Sequence, residues 1–296
     1  MTIFAVVVTY NRISLLPKVL DSIRKQTRRI DKIIVVNNNS TDGTFDWLKT
    51  QNDLLIINQD NLGGAGGFHT GIKYAFEHGA DWIWTMDDDV FPEECALEEL
   101  IKYKDLSDCI IPTRYYNDGV RCNWGGIYDL KRRVLVLGTR PRDYGYSKPF
   151  YIVNTSCFEG MLISRKIVEL IGYPDIRFFI SGDDTIYGLL ASRYTNIFLV
   201  EAAILKRAKS SGENQFHSPF YLYYLFRNFH LFEEYYCKLT GSPRYSVYTR
   251  LKIYYEAFKI FQKVWNAKEI KYKALKAILS GIRDSYRKKT GRTFKV

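Results

Sequence analysis

Asp87-Asp88-Asp89 ends an apolar run, Asp81-Trp82-Ile83-Trp84-Thr85-Met86, that is short and bounded like a buried strand. Three adjacent carboxylates in such a place repel one another unless positive charge sits between them. A hard divalent cation, held by one or two carboxylates together with substrate phosphates, meets that need. The triplet also reads as a solvated acidic turn ahead of a helix begun by Pro92-Glu93-Glu94.

The elements that must position this triplet form an ordered series. Ile3-Phe4-Ala5-Val6-Val7-Val8 reads as a strand buried on both faces and leads to Thr9-Tyr10-Asn11-Arg12. Leu15, Leu16, Val19, Leu20 and Ile23 then recur at helical spacing. A second buried strand, Ile33-Ile34-Val35-Val36, runs into Asn37-Asn38-Asn39-Ser40-Thr41-Asp42-Gly43-Thr44. A third, Leu54-Leu55-Ile56-Ile57, leads to Asn61-Leu62-Gly63-Gly64-Ala65-Gly66-Gly67, and the carboxylate strand is the fourth. Strands alternating with helices at this spacing predict a doubly wound α/β fold with a mostly parallel sheet. Ligands of such sheets bind outside the carboxyl ends of the strands. Every polar cluster here follows a strand end, so the clusters should converge on one edge. The glycine run either presents backbone N–H groups to a phosphate or makes a tight turn with close helix packing. A dinucleotide fingerprint would follow the first strand, which has no glycine after it, so a nicotinamide enzyme is not expected.

In this order the segments resemble the amino-terminal half of family 2 glycosyltransferases, inverting enzymes with a GT-A fold. The stretch 37–44 matches their nucleotide-binding turn, and Asp87-Asp88-Asp89 matches their metal-binding DXD motif. Asn61 to Phe68 resembles the subset that contains galactofuranosyl- and rhamnosyltransferases. The likeness continues through Phe158-Glu159-Gly160-Met161-Leu162-Ile163-Ser164 and Phe178-Phe179-Ile180-Ser181-Gly182-Asp183-Asp184. It ends at Tyr223-Tyr224-Leu225-Phe226-Arg227-Asn228, and so covers residues 3–230.

The resemblance implies transfer of a hexose from a nucleotide diphosphate. A divalent metal, Mn²⁺ or Mg²⁺, would be held by Asp87 and Asp89, with Asp88 nearer the donor sugar or ribose. Thr9, Asn11, Arg12, Asn37, Asn39, Asp42, Gly66 and Gly67 would surround the nucleotide. Asp184 is the expected general base, with Asp183 second choice, and both also suit the start of the helix 185–191. His217 reads either as a third metal ligand or as polar surface. Arg227-Asn228 would contact phosphate or fix a helix, and the polar stretch 206–212 would close over the diphosphate or lie solvated. Two positions depart from the family: Asn37 stands where Asp is common, and Ile186 where many relatives carry Glu. An amide still carries a donor and an acceptor for a uracil edge. The subset points to UDP-galactofuranose as donor, with dTDP-rhamnose the close alternative. The acceptor would be a glycan or lipid-linked sugar in cell-surface polysaccharide synthesis. A sugar-nucleotide-binding or assembly-scaffold protein without turnover is the reading from another class.

Charge is uneven along the 296 residues. From Pro243 to Val296 there are 15 Lys or Arg against Glu256, Glu269 and Asp284, a net of +12. The whole chain carries +11, which leaves −1 for residues 1–242. We therefore expect a GT-A catalytic domain over 1–242, divided at 111/112 into nucleotide-sugar and acceptor halves, and a basic helical region over 243–296. In that region Leu251, Tyr254, Tyr255, Phe258, Phe261 and Trp265 recur at helical spacing, with Arg250, Lys252, Lys259 and Lys263 off the stripe. A basic helix with aromatics reads as membrane-surface association, as a helical pair docked on the catalytic domain, or as a homo-oligomer interface. No nucleic-acid-reading motif accompanies the charge. Residues 112–155 suggest short strands and turns shaping an acceptor groove, where Trp124 would stack on a sugar or simply pack. The five cysteines lack CxxC spacing and suit free thiols in a reducing compartment. Without a signal-peptide pattern or a membrane-spanning run, the expectation is a cytoplasmic enzyme, peripheral on the inner face of the plasma membrane.

Overall fold

The computed structural model describes residues 1–122, 126–130, 134–137, 148–212, 218–242, 254–255, 257–260, 262 and 271–294. The four expected strands form as β1 (Ile3–Thr9), β2 (Lys32–Asn37), β3 (Leu54–Asn58) and β4 (Trp82–Asp87). They lie in the order β4-β1-β2-β3, all parallel. Beyond β4 come β11 (Leu162–Ser164), β6 (Cys109–Tyr115), β12 (Ile197–Arg207) and β10 (Phe150–Val153). β11 is antiparallel to both its neighbours, β4 and β6, so β6 runs the same way as β4. β12 is parallel to β6, and only β10 reverses again at the edge. Six strands thus share one direction, and the ends of β1, β2, β4, β6 and β12 face the same edge, as the spacing of polar clusters predicts.

Why the sheet is central follows from β1. All seven of its residues are buried, which only a strand covered on both faces allows. Ile3, Ala5 and Val7 pack in one layer with α1 (Leu16–Arg24), α2 (Thr44–Leu48) and α4 (Ala96–Ile101). Phe4, Val6 and Val8 pack in the other with α3 (Gly63–Glu77), α5 (Arg165–Ile171) and α6 (Asp183–Ala191). Residues 112–155 supply the expected short strands: β7 (Arg121–Cys122) on β6, and a hairpin of β8 (Gly126–Asp129) with β9 (Val134–Leu137). Earlier, where the sequence suggests a helix start at Pro92, β5 (Val90–Pro92) pairs with β12. Trp124 lies outside the described residues.

A third apolar cluster joins α7 (Pro219–Arg227) to α9 (Lys271–Tyr286), with α8 (Phe229–Thr240) alongside. Ser218 caps α7 by accepting the Tyr221 N–H. Ala274, Ala277, Ile278 and Ile282 form the buried stripe of α9, and Gly281 lets the two backbones meet: a Cβ there would lie 2.5 Å from the Tyr223 carbonyl oxygen. Part of the basic region is therefore docked on α7. Its outer side exposes Tyr272 and Leu279, and Tyr254, Tyr255 and Phe258 of the expected aromatic stripe are also exposed. Leu251, Phe261 and Trp265 lie outside the described residues. No helix among the described residues is long and apolar enough to cross a membrane. All five cysteines are free thiols.

The glycines of α3 set how closely it lies on β1. A Cβ at Gly67 would stand 2.3 Å from Val8 Cγ1, and one at Gly71 2.2 Å from Val6 Cγ1, whereas one at Gly64 would meet nothing within 4 Å. Gly71→Ala should therefore destabilise the protein by about 1–3 kcal/mol through overpacking. Gly64→Ala should be neutral or stabilising by up to about 1 kcal/mol through helix propensity. Chemical denaturation of the two variants checks this contrast; equal effects would refute it.

Candidate active site

The triplet sits in the turn between β4 and β5, and because β5 pairs with β12, the turn is tethered to the sheet on both sides. Carboxylate oxygens of Asp87, Asp89 and Glu159 all lie within 4.8 Å of one another. Glu159 precedes β11 in a bend where Gly160 has φ +86° and a Cβ would collide with Leu205 and Pro112 at 2.6 Å. Trp84 Nε1 donates to the Gly160 carbonyl at 3.1 Å, fixing this bend to β4.

Two buried arginines hold Glu159. Arg114 Nη1, from β6, lies 3.1 Å from one oxygen, and Arg207 Nη2, from β12, lies 2.9 Å from the other. Arg114 also donates to the Cys157 sulfur. The stretch 206–212 does not begin as a free loop: Lys206 and Arg207 are the last residues of β12, where pairing with β5 buries the Arg207 side chain. Lys209 Nζ lies 3.3 Å from Asp89 Oδ2. Burial raises Asp87 well above the usual carboxylate range, and Glu159, Asp89 and Asp88 add to the rise while Arg207 opposes it. Asp88 is pushed up to about 6, chiefly by burial and then by Asp89. Tyr10 N–H donates to it at 3.0 Å, and Arg12 Nε lies 3.5 Å away. Excess negative charge at the β4 end is thus the defining electrostatic feature, and it favours a bound cation.

Asp183 and Asp184 open α6, whose N-cap is Gly182 at φ +93°. Asp184 Oδ1 accepts the N–H of the next residue, Thr185, at 2.6 Å. The two acids occupy the first turn of α6 as expected, but Gly182 is the N-cap, so neither side chain caps the helix. Burial lifts Asp184 to about 6; the Thr185 N–H and Arg114 pull it down, and Glu159 pushes it up. Asp184 therefore feels the charge of Glu159, as Asp87 does. Asp183 is raised further, by burial and by Asp184 beside it.

The residues expected around a nucleotide gather at the ends of β1 and β2, where several brace one another. Asn11 N–H donates to Ser40 Oγ, and its side-chain oxygen accepts the Thr41 N–H. Asp42 accepts the Ile13 N–H at 3.0 Å and caps Thr44. Thr9 is buried at the end of β1, and Asn39 is exposed in a left-handed conformation, φ +58°. Asn37 is fully buried: its amide nitrogen donates to Asn58 at 2.6 Å and its oxygen accepts the Ser40 hydroxyl at 2.5 Å. Its side chain organises the turn. Gly66 and Gly67 lie inside α3, and the N–H groups of Gly63 and Ala65 are taken by Asn61 Oδ1 and the Phe179 carbonyl. Gly63 and Gly67 of the run thus serve close packing. His217 lies outside the described residues.

Sequence and shape comparisons agree with this geometry. The family described as glycosyl transferase family 2 matches residues 4–172. The chain belongs to glycosyl transferase family 2. Among curated relatives of this glycosyltransferase is the galactofuranosyltransferase GlfT1 of Mycolicibacterium smegmatis, 32% identical over 186 residues, covering 61% of this chain and 62% of the relative. The chain thus spans less than two thirds of that relative's length. The dTDP-rhamnosyl transferase RfbF of Shigella flexneri is 28% identical over 240 residues, 76% of this chain and 78% of the relative. Similar folds include the crystal structure of GalNAc-T7 with UDP, GalNAc and Mn²⁺, with TM-score 0.59 and 16% identity, covering 93% of this chain and 58% of that one. Another is S. aureus TarS 1-349 in complex with UDP-GlcNAc, with TM-score 0.54 and 16% identity, covering 78% of this chain and 66% of that one. The fold of the glycosyltransferase is accordingly GT-A.

Sequence reasoning gave no role to Glu159 or Arg114, and read Arg207 only as part of the polar stretch 206–212. Glu159 stood within a recognised motif, but nothing local in the sequence links it to Arg114 or Arg207 until β6 and β12 pair. Removing the charge between them leaves two buried cations without their shared anion. Glu159→Gln should therefore cost about 3–5 kcal/mol of stability. Thermal and urea denaturation read this directly, and a loss under 1 kcal/mol would show that the arginines find other partners.

Proposed function

We propose that this glycosyltransferase moves galactofuranose from UDP-galactofuranose to a glycan or lipid-linked acceptor, with inversion at the anomeric carbon. The observation that carries the reading is the cluster of Asp87, Asp89 and Glu159 carboxylates at the end of β4, with Asp184 near enough to feel the charges of Arg114 and Glu159. Similarity to GlfT1 supports the choice of sugar. Similarity to RfbF over a larger share of the chain makes dTDP-rhamnose the second reading.

The donor set fits a hard divalent cation, Mn²⁺ or Mg²⁺, since it consists of clustered carboxylate oxygens whose burial disfavours leaving them all ionised alone. Asp87 and Asp89 would hold it, because both Glu159 oxygens are engaged by arginine. When bound, such an ion supplies neutralisation of the leaving diphosphate. The chain's own residues do the rest. Asp88, braced by the Tyr10 N–H, and Arg12, on the rim, face the donor. Thr9, Asn11, Asn39 and Asp42 shape the nucleotide cleft, and Asn37 keeps its turn rigid. Asp184 takes the acceptor hydroxyl proton as that oxygen forms its bond to the anomeric carbon and the bond to the diphosphate breaks. Asp183, the residue before it in the first turn of α6, supports it. Residues 1–242 form the catalytic unit on this reading, donor half before residue 112 and acceptor half after it.

We further place the protein at the cytoplasmic face of an anionic membrane. Supporting this are the net charge of +12 over residues 243–296 and the exposed Tyr254, Phe258, Tyr272 and Leu279. Each cation near such a surface contributes about 1 kcal/mol.

The test is transfer from a panel of nucleotide sugars, with Mn²⁺ and with chelator. Chelator-sensitive transfer from UDP-galactofuranose is expected, and transfer from dTDP-rhamnose alone would install the second reading. A neutral Asp184 cannot accept a proton, so kcat/KM should fall as pH drops through about 6, and Asp184→Asn should lose about 10²–10⁴-fold. An unchanged Asp184→Asn would remove it as base. In sedimentation, the protein should follow phosphatidylglycerol vesicles at low salt and leave pure phosphatidylcholine behind. Equal behaviour with the two would sink the membrane placement.

A further inference from the structure

Arg227 was expected to touch phosphate or to fix a helix, and its surroundings answer the question. Its guanidinium is fully buried at the end of α7 and reaches four backbone carbonyls. Nη1 donates to Arg177 at 2.7 Å and to Lys289 at 3.3 Å, and Nη2 donates to Phe178 at 2.8 Å and to Gly291 at 2.9 Å. Two of these carbonyls belong to the segment that leads into Asp183-Asp184, and two to the segment that follows α9. Gly291 N–H also donates directly to the Arg177 carbonyl at 2.8 Å.

The segment so held is under strain. Phe179 has φ +63° and ψ −59°, and the Ile180 N–H donates to the Phe178 carbonyl at 2.8 Å, which together define a tight three-residue turn. Ser181 at φ +73° and Gly182 at φ +93° follow at once. Non-glycine residues persist in such conformations only where the surroundings over-determine them. Asn228 supplies part of that constraint, donating to the carbonyls of Phe178, Ile180 and Ser181 at 3.2, 2.8 and 2.8 Å. The other part comes from residues 289–294. Tyr224 Oη accepts the N–H groups of Thr293 and Phe294 at 3.1 and 3.2 Å. Tyr223 Oη bonds Asp284 at 2.8 Å and Thr293 Oγ1 at 3.0 Å.

We propose that Arg227 is a positioning residue for the acceptor-activating carboxylate, and that residues 289–293 are the other half of the same device. The guanidinium clamps the strained turn 177–182 against the segment after α9, and so fixes where α6 begins and where Asp184 stands. The basic region is on this account part of the active-site frame and not only an anchor. The inference rests on the assignment of Asp184 as base for its catalytic consequence, but the clamp itself does not.

Native-state hydrogen exchange of the full unmodified chain tests the clamp without any substitution. Peptides spanning 177–185 and 288–294 should open together, with opening constants within about threefold of each other. Opening of 288–294 about 100-fold more often than 177–185 would overturn the proposal. Arg227→Lys replaces a four-bond fork with a single ammonium. It should lower kcat by about 10–100-fold through misplacement of Asp184, while the Kd for UDP stays within about threefold. A folded Arg227→Lys enzyme with normal kcat would also overturn the proposal, and if this variant does not fold, the exchange result decides. Asp184→Asn measured alongside separates the two readings: full activity there removes the base assignment and leaves the clamp to stand or fall on exchange.

Discussion

Crowding of negative charge at the end of β4 is the constraint on which the rest of the site depends. Asp87 ends the strand, Asp88 and Asp89 make its turn, and Glu159 approaches from β11, all largely shielded from water. Such a cluster folds only if cations are built in beside it. The sheet provides them by running β6 and β12 in the same direction as β4, so that Arg114 and Arg207 arrive at the same edge. The two arginines saturate Glu159 and Lys209 reaches Asp89, yet Asp87 stays raised by its acidic neighbours, a repulsion that the proposed divalent ion would relieve. Topology, ion pairing and chemistry are one problem solved at one place.

Scaffolding and chemistry divide along the chain. In the loops after β1 and β2, Asn11, Asn37 and Asp42 spend their polar atoms on backbone and neighbouring side chains. These loops gain rigidity, and the groups left facing outward, Arg12 and Asn39, gain definition. The glycines of α3 do the same by steric means, bringing the helix onto Val6 and Val8. A rigid cleft suits the proposed donor, whose diphosphate would have to be aligned to within a fraction of an ångström.

Much of this was legible in the sequence because it rests on local pattern. β1 to β4 are continuous apolar runs, and each polar cluster sits at a strand end, so the parallel sheet and its active edge followed from spacing alone. Asp183-Asp184 likewise announced a helix start. What stayed hidden depends on contacts distant in sequence. Arg207 reads as part of a polar loop until β12 is seen to extend through it and pair with β5. The use of Asn37 as a brace requires Asn58, 21 residues on, and the carbonyl partners of Arg227 lie about 50 and 60 residues away on either side. No periodicity reports such pairs.

The reversal of β11 divides the sheet mechanically. β4 and β6 point the same way but are not paired with each other, and the β4 side of the sheet joins the β6 side through the three residues Leu162–Ser164 and through the β5–β12 pairing. Both seams are short, and both adjoin the carboxylates: one follows Glu159 and the other follows Asp89. A shearing displacement between the halves would therefore be felt first as a change in the spacing of the acidic oxygens. The place where this sheet is thinnest is also the place where its geometry matters most to charge.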